Sequence, residues 1–425
     1  MDGLPVLLSP AAYPAIRDDQ GMRRWMPTLT LLLALAAGGC AGGEPSIGTE
    51  LPAPPAPGAA PSTVAAPEVR VEVVASGLEH VWDIGFLPDG RALVTERPAR
   101  IRLLSGTGPG ATVSDVAADL GDVYVRGEGG LMGLLVHPDF AQTRRFTTCQ
   151  THQDGGAPRD IQLVTWELSP DGRAATRVAD PLLGGLPLKS SGRHSGCRPT
   201  LGPDGALYVG TGDTANPDVP QDRTQLGGKV LRLDLATGGP APGNPFAAAA
   251  DPAERLVFSY GHRNVQGVTV QPGTGRLFVA EHGPDVDDEI NLLRPGANYG
   301  WDPSRGGTED SYDESVPMTD LARFPDAVPP VWSSGGSTEA ICGAAFLEGP
   351  QWGSLEGLLA VAALKGSKLL LMRLDPQGTV VEVGQLPALD GTHGRLRAAR
   401  PGPDGALYIT TSNGEDDEVL RVSPI

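Results

Sequence analysis

The sequence predicts an all-β fold, a six-bladed β-propeller with four-stranded antiparallel blades, on three observations. Short runs of strand formers, "RALVTE", "ALYVGTG", "RLFVAEHG" and "ALYITTSN", are each closed by turn residues, and few segments carry the long 3.6-residue apolar period of a helix. One layout also recurs: "LPDGRALVTE" (87–96), "GPDGALYVGTGD" (202–213), "PGTGRLFVAEHG" (272–283) and "GPDGALYITTSN" (402–413). Finally, these units are spaced by roughly one to two propeller periods of about 40–50 residues, with room for inserted loops. No linker or composition break interrupts residues 68–425, which argues against two separate β-sandwiches.

The repeated turn has sound chemistry, because Pro presets φ and Gly accepts φ > 0 before the chain re-enters a strand. "SPDGRAATRV" (169–178) reads as an outer-strand version of it. Gly 58 and Pro 41 in 425 residues imply many such turns, and 40% apolar residues suffice for a large core. In a propeller the innermost strands end at the central channel, so polar residues at the strand ends are expected to share one site.

The N-terminus reads as an export signal. Arg23 and Arg24 precede "TLTLLLALAAGGC", an apolar run too short for a comfortable membrane span but suited to a signal peptide. Its end resembles a lipobox, with Cys40 as the lipidation site and Ala37 where a larger aliphatic residue is usual. Residues 1–40 are therefore expected to hold an upstream extension and a lipoprotein-type signal, with Met22 as an alternative start. Simple secretion is the competing reading. Residues 41–67 are rich in Pro, Ala and Gly and have little to bury, so a disordered tether is expected before the 68–425 domain.

A formal net charge of −18 with no offsetting Lys/Arg cluster speaks against nucleic-acid binding. Of the four cysteines, polar-flanked Cys149 and Cys197 are the candidate disulfide, and Cys342 in "EAICGAAFL" reads as a buried free thiol. No cysteine spacing suits zinc.

Between the repeats lie segments too polar to be only structural. "GEGGLMGLLVHPDF" (127–140) joins a Gly-rich loop to a strand, "FSYGHRNVQGVTV" (258–270) places polar side chains where a bland strand would be apolar, and "EHGPDVDDEINLLRPGANYGW" (281–301) is dense in carboxylates. Arg263, Lys365, Arg395 and Arg397 are cations from separate strands of an acidic protein, which suits an anion with several oxygens. Oxygen-rich loops suit a hard cation such as Ca²⁺.

In order, "GEGGLMG…HPDF", "RHSGCR…GPDG", "LGGKVLRLD…GNPF", "YGHRNVQG", "EHGPDVDDEIN…NYGW", "ALKG" and "RLRAARPGPDG" resemble the soluble glucose and aldose sugar dehydrogenases that use pyrroloquinoline quinone (PQQ), the glucose/sorbosone dehydrogenase-like family. The resemblance spans roughly residues 70–424, with "GHRNxQG" and "GPxxxDEIN" its specific parts. It implies a six-bladed propeller with PQQ over the central channel.

By that resemblance His194 is the catalytic base, taking the anomeric hydroxyl proton while hydride passes to the quinone, and Arg263 stabilises charge developing on the quinone oxygen. Asn264, Glu128, Lys365, Arg395 and Arg397 fall at cofactor-contacting positions. The Gly283 and Pro284 carbonyls match those that hold the cofactor's Ca²⁺, while Asp288, Glu289 and the Tyr299 carbonyl resemble a second, structural Ca²⁺ site. Partners implied are a small sugar and an external electron acceptor, with membrane contact only through a lipid anchor.

Several positions depart from the family. Glu128 stands where the family has glutamine, so its carboxylate must be protonated, paired or turned away beside a tricarboxylate. Arg193 replaces an acidic residue, and Cys197 replaces a small one. The aromatic insertion placed over the quinone has no clear counterpart, and Trp332 in "PPVWSSGGSTEAICG" is the nearest candidate. His80, His137, His152 and His393 read as structural, and His262 and His282 as loop supports. Two other functions remain open on these residues: a Ca²⁺-dependent lactonase-like hydrolase, and a non-catalytic ligand-binding propeller.

Overall fold

A computed structural model describes residues 68–307 and 311–425; the expected signal, Cys40 and the expected tether lie outside the described residues. The first strand, β1 (Val69–Leu78), is followed by blade 1: β2 (Val81–Phe86), β3 (Ala92–Glu96), β4 (Arg100–Leu104) and β5 (Val113–Val116). Blade 2 holds β6 (Leu131–Val136), β7 (Arg145–Asp154), β8 (Ala157–Leu168) and β9 (Ala175–Leu186). Blade 3 holds β10 (Arg198–Leu201), β11 (Leu207–Gly210), β12 (Lys229–Leu233) and β13 (Val257–Tyr260). Blade 4 holds β14 (Val265–Val270), β15 (Leu277–Glu281), β16 (Glu289–Leu292) and β17 (Trp332–Ser333). Blade 5 holds β18 (Ile341–Phe346), β19 (Leu359–Ala363), β20 (Lys368–Leu374) and β21 (Val380–Gln385). Blade 6 holds β22 (Leu396–Pro401), β23 (Leu407–Thr411) and β24 (Asp417–Pro424), and β1 pairs with β24 as its outermost strand.

That pairing closes the ring. The N-terminal strand completes a C-terminal blade as its fourth strand, from Val69 opposite Pro424 to Leu78 opposite Asp417. The Pro-Asp-Gly turns join the first and second strands of a blade, which places the strand after each turn second from the axis rather than innermost. The 169–174 turn joins β8 to β9, the outer position expected of it.

Middle strands are buried on both faces because neighbouring blades pack face to face. Accordingly β3 (ALVTE), β11 (LYVG) and β19 (LAVAA) are buried throughout and lack clean polar alternation. Leu369, Leu371, Leu386 and Leu389 of blade 5 pack with Leu407, Ile409 and Leu420 of blade 6 in one such interface. Each buried Leu there contributes about 1.5–3 kcal/mol, and Leu371→Ala costs about 2–5 kcal/mol.

The axis itself is plugged by charge. Asp83 of β2, fully buried, accepts hydrogen bonds from Arg400 Nε (2.9 Å) and Nη2 (2.6 Å), and Arg198 Nη1 lies 2.8 Å away. The Arg198 guanidinium also stacks over the Trp82 ring at 4.2 Å. Burial alone would raise the Asp83 pKa, but Arg198 and Arg400 outweigh it and hold the carboxyl below its ordinary value. Cys149 of β7 and Cys197 just before β10 are joined by a disulfide, which ties blade 2 to blade 3. Cys342 is free and buried.

Antiparallel pairing decides where function can sit. The residues entering each first strand and those leaving each second strand lie at the same end: Val81 faces Glu96, Arg198 faces Gly210, Val265 faces Glu281 and Leu396 faces Thr411. Segments far apart in sequence thus meet at one mouth. Trp332 does not reach it. Its strand, β17, is the outermost of blade 4, and its side chain packs with Phe278, Phe346 and Leu370, so it stacks on no group at the mouth. No helix among the described residues is long and apolar enough to cross a membrane.

Candidate active site

His194 enters the mouth from the loop before β10, with φ at +52°, a conformation uncommon outside glycine. Glu128 helps hold it there, accepting the His194 backbone N–H at 3.2 Å. Gly212 leaves the necessary room: a Cβ at that position would lie 2.0 Å from the His194 carbonyl oxygen and 2.9 Å from Asn264 Oδ1. The imidazole is nearly buried, and its Nδ1 sits 2.7 Å from Asp213 Oδ1.

Asp213 follows β11, the strand paired with β10. Its Oδ2 accepts Trp301 Nε1–H (2.8 Å) and Tyr312 O–H (2.6 Å), and its Oδ1 also accepts the Ala215 N–H (2.8 Å). Burial pushes this carboxyl up, but His194, Arg263 and Tyr312 prevail and hold its pKa down. The Asp213 charge therefore fixes Nδ1 as a donor and leaves Nε2 as the basic atom. Arg193 Nε donates to that Nε2 at 3.2 Å.

The loop after Asp213 is held by a buried cation. Lys229 Nζ donates to the carbonyls of Val219 (2.7 Å), Pro220 (2.9 Å) and Gly227 (2.6 Å). Burial pulls the amine down to about 7, against the opposing pull of Asp222 and Asp213.

Arg263 and Asn264 enter ahead of β14. Arg263 Nη1 donates to the carbonyls of His282 (3.0 Å) and Gly283 (2.8 Å), and Nη2 lies 2.5 Å from Glu314 Oε1. Glu281 accepts the Arg263 backbone N–H and, at 2.8 Å, His262 Nδ1, so His262 supports the loop. Asn264 Nδ2 donates to Glu128 Oε2 at 3.1 Å, and its Oδ1 accepts the Gly196 N–H at 3.2 Å. Glu128 thus ties the imidazole loop to the amide: it is paired, and neither oxygen is left bare.

The remaining cations differ in surroundings. Arg397 is buried, with Nη1 3.4 Å from Gln266 Oε1 and 3.6 Å from Cys342 Sγ. Arg395 and Lys365 are exposed, and their side chains make no hydrogen bond or ion pair among the described residues. Lys365 leaves β19 at the mouth end, its backbone N–H bonded to the Glu339 carbonyl.

The carboxylate loop behaves differently at each expected ligand. Asp288 accepts the Gly283 N–H (2.9 Å), Thr338 O–H (2.7 Å), Glu339 N–H (2.7 Å) and Ile341 N–H (3.3 Å). Its oxygens are occupied in pinning the 283–288 loop, so it offers no open ligand position. Glu289 is buried near Glu281, and burial followed by that like charge raises its pKa well above normal. Both carboxylates share the Asn291 amide, at 3.1 and 3.3 Å, while Asn291 Oδ1 is buried without a partner. Tyr299 stacks on His262 at 4.5 Å, and its hydroxyl donates to the Leu292 carbonyl. Among the described residues no three or more His, Cys, Asp or Glu side chains cluster as a metal site. A cation here would need mixed carbonyl and carboxylate oxygens, the set Ca²⁺ accepts.

The fit to an anionic cofactor rests on buried polar atoms with no protein partner. Arg263 Nε and His282 Nε2 are both unpartnered at the mouth. Burial first, then Arg263 and Arg397, pushes His282 well below the ordinary histidine range and keeps its ring neutral. Among the residues that sequence reading missed are Asp213, Trp301, Tyr312 and Glu314. Asp213 had a signal, the end of "YVGTGD" on the strand after a Pro-Asp-Gly turn. Tyr312 and Glu314 had none, because a connection between outer strands carries no periodic pattern.

Residues 78–421 match the family described as Glucose / Sorbosone dehydrogenase. Aldose sugar dehydrogenase YliI of Escherichia coli (strain K12) is 33% identical over 389 residues, 86% of this chain and 94% of that protein. The PQQ-bound form of aldose sugar dehydrogenase from Streptomyces coelicolor matches with TM-score 0.66 at 31% identity, covering 86% of this chain and 99% of that one. The apo-form of the soluble aldose sugar dehydrogenase from Escherichia coli matches with TM-score 0.71 at 30% identity, covering 84% and 100%.

Proposed function

The chain belongs to the glucose/sorbosone dehydrogenase family, and we propose that it is an exported, PQQ- and Ca²⁺-dependent dehydrogenase that oxidises the anomeric hydroxyl of aldose sugars to the lactone. The observation that carries this reading is the His194–Asp213 pair beside Arg263, at a mouth with unpartnered cationic and imidazole nitrogens.

His194 Nε2 takes the hydroxyl proton as general base, a step worth about 10²–10⁴ in rate. Asp213 holds the ring in the required tautomer and stabilises the imidazolium that forms. Arg193 now donates to Nε2, so a sugar hydroxyl must displace it to reach the base. Bound PQQ would supply the carbonyl that accepts hydride from the anomeric carbon, and with it the sugar's two electrons. Arg263 faces the negative charge that develops there. Asn264, Lys365, Arg395 and Arg397 would hold the cofactor, and the Gly283 and Pro284 carbonyls would supply oxygens for its Ca²⁺. Glu289, the Tyr299 carbonyl and Asn291 Oδ1 suit a second Ca²⁺, whereas the occupied oxygens of Asp288 leave it a loop-pinning role. An external acceptor would take up the two electrons, and lipidation at Cys40 would keep the enzyme at the cell envelope.

The test adds PQQ and Ca²⁺ to purified protein and screens aldoses with an electron-accepting dye. Sugar-dependent dye reduction that His194→Ala abolishes, with PQQ binding retained, is the expected result. PQQ binding without turnover of any sugar, polyol or aldehyde would point to a binding protein instead.

A further inference from the structure

Arg97 was not among the residues that the sequence singled out, yet the ring brings it to the mouth. It follows β3 in blade 1, the blade next to blade 6, and its backbone N–H donates to the His80 carbonyl at 3.0 Å. His80 Nδ1 in turn lies 3.5 Å from Ser412 Oγ, and the Ser412 N–H donates to the Arg395 carbonyl at 2.9 Å. On its other side, Arg97 Nη1 donates to the Gly127 carbonyl at 2.7 Å. Gly127 adjoins Glu128, which holds both His194 and Asn264. Arg97 therefore stands between the guanidinium pair of blade 6 and the catalytic loop.

Its hydrogen bonding is one-sided. Nη1 is engaged, Nε is buried with no partner, and Nη2 makes no hydrogen bond among the described residues. Nε–H and one Nη–H form the side-on edge of a guanidinium, two parallel donors that match a carboxylate. Among the described residues none of Arg97, Arg395 and Arg397 has an ion-paired carboxylate, in contrast to Arg198 and Arg400, which close on Asp83. Burial and then Arg397 hold the Arg97 guanidinium below its ordinary pKa, with Glu79 and Glu128 opposing. Partial desolvation of the otherwise exposed Arg395, followed by Arg397, does the same there. Three like charges are gathered with no ion-paired carboxylate among the described residues, and only Glu79 and Glu128 act on Arg97 from a distance. Such an arrangement is unfavourable until a polyanion enters.

We propose that Arg97 is a cofactor-binding residue, gripping a carboxylate of the bound quinone through its free Nε/Nη2 edge. Together with Arg395 and Arg397 it makes a three-guanidinium cradle. This rests on the reading under Proposed function, since the carboxylates are those of PQQ. It also accounts for Glu128: beside Arg97, the carboxylate is balanced by a neighbouring positive charge, so it does not repel the cofactor outright.

The experiment measures PQQ affinity of the Ca²⁺-loaded protein by calorimetry, with thermal unfolding of the PQQ-free protein alongside. Arg97→Met should weaken PQQ binding by about 10- to 100-fold, the loss expected for charge-assisted bonds. Arg97→Lys, which keeps the charge but not the fork, should fall between. The PQQ-free Arg97→Met protein should melt at or above the wild-type temperature, because a repulsion has been removed. Affinity within twofold of wild type in Arg97→Met would overturn the proposal. So would a melting temperature that falls while affinity holds, which would make Arg97 a structural brace for Gly127. A wild type that binds no PQQ would instead overturn the functional reading along with this one.

Discussion

His194 Nδ1 and Asp213 Oδ1 lie 2.7 Å apart, in a pair of side chains almost wholly removed from water. Asp213 is not at liberty to turn elsewhere, because Trp301, Tyr312 and the Ala215 N–H hold its two oxygens. Asp213→Asn keeps the shape but presents either a neutral acceptor or a donor to Nδ1. It should lower kcat by about 10²–10⁴-fold with little change in PQQ affinity, read by steady-state kinetics and calorimetry on one preparation. A variant within threefold of wild type would show that the tautomer is set by some other group.

Glu128 receives two donors, the His194 N–H and Asn264 Nδ2. Glu128→Gln supplies one good acceptor and one amide N–H that meets a donor, leaving a polar group poorly paired at a cost of about 1–3 kcal/mol. The expected outcome is a kcat roughly tenfold lower, with PQQ affinity within a few-fold of wild type. A gain in both affinity and turnover would mean that the carboxylate merely repels the cofactor.

Glu314 bridges Arg193 and Arg263, at 2.6 and 2.5 Å, across the approach to His194 Nε2. The Arg193 and Glu314 side chains are 44% and 34% exposed, so their pairing contributes about 1 kcal/mol or less to stability. Arg193→Ala should therefore leave the melting temperature nearly unchanged while shifting KM unequally among aldoses. Uniform KM values across a sugar panel would remove Arg193 from the substrate path.

Asp83 anchors Arg198 and Arg400 on the axis. Asp83→Asn leaves two buried cations without a counter-charge and should cost about 3–5 kcal/mol in denaturant unfolding. The pH dependence follows from its depressed folded pKa. The contribution is fully present above the unfolded value, about pH 4, and is lost as pH falls from there through the lower folded value. Wild type should lose stability steeply in that acid range, and Asp83→Asn less so. Parallel acid unfolding curves for the two proteins would contradict this.

Much of the site was readable along the chain because it is built from segments with their own turn and strand chemistry. "RHSGCR", "GHRNVQG" and "RLRAARPGPDG" bring His194, Arg263, Asn264, Arg395 and Arg397 to the starts of first strands, which is where a propeller needs polar residues. Two expectations meet a different local structure. Trp332 was placed by residue type, but its strand pairs at the outer edge of blade 4. Asp288 was expected as a Ca²⁺ ligand by resemblance, and here four nearby donors claim its oxygens.

The amino-acid order by itself determined the repeated turn-and-strand unit and the all-β propeller, because each follows from local backbone preference, and a resemblance carried by contiguous motifs put His194 forward as the base. Tertiary structure alone decided that Asp213 stands behind that base, that Tyr312 and Glu314 cover it, and that Arg97 joins two guanidiniums from the other end of the chain. Those relationships arise when β1 closes on β24 and the first-strand starts converge on one axis. Convergence of this kind is a property of the closed ring and leaves no periodic trace in any single stretch.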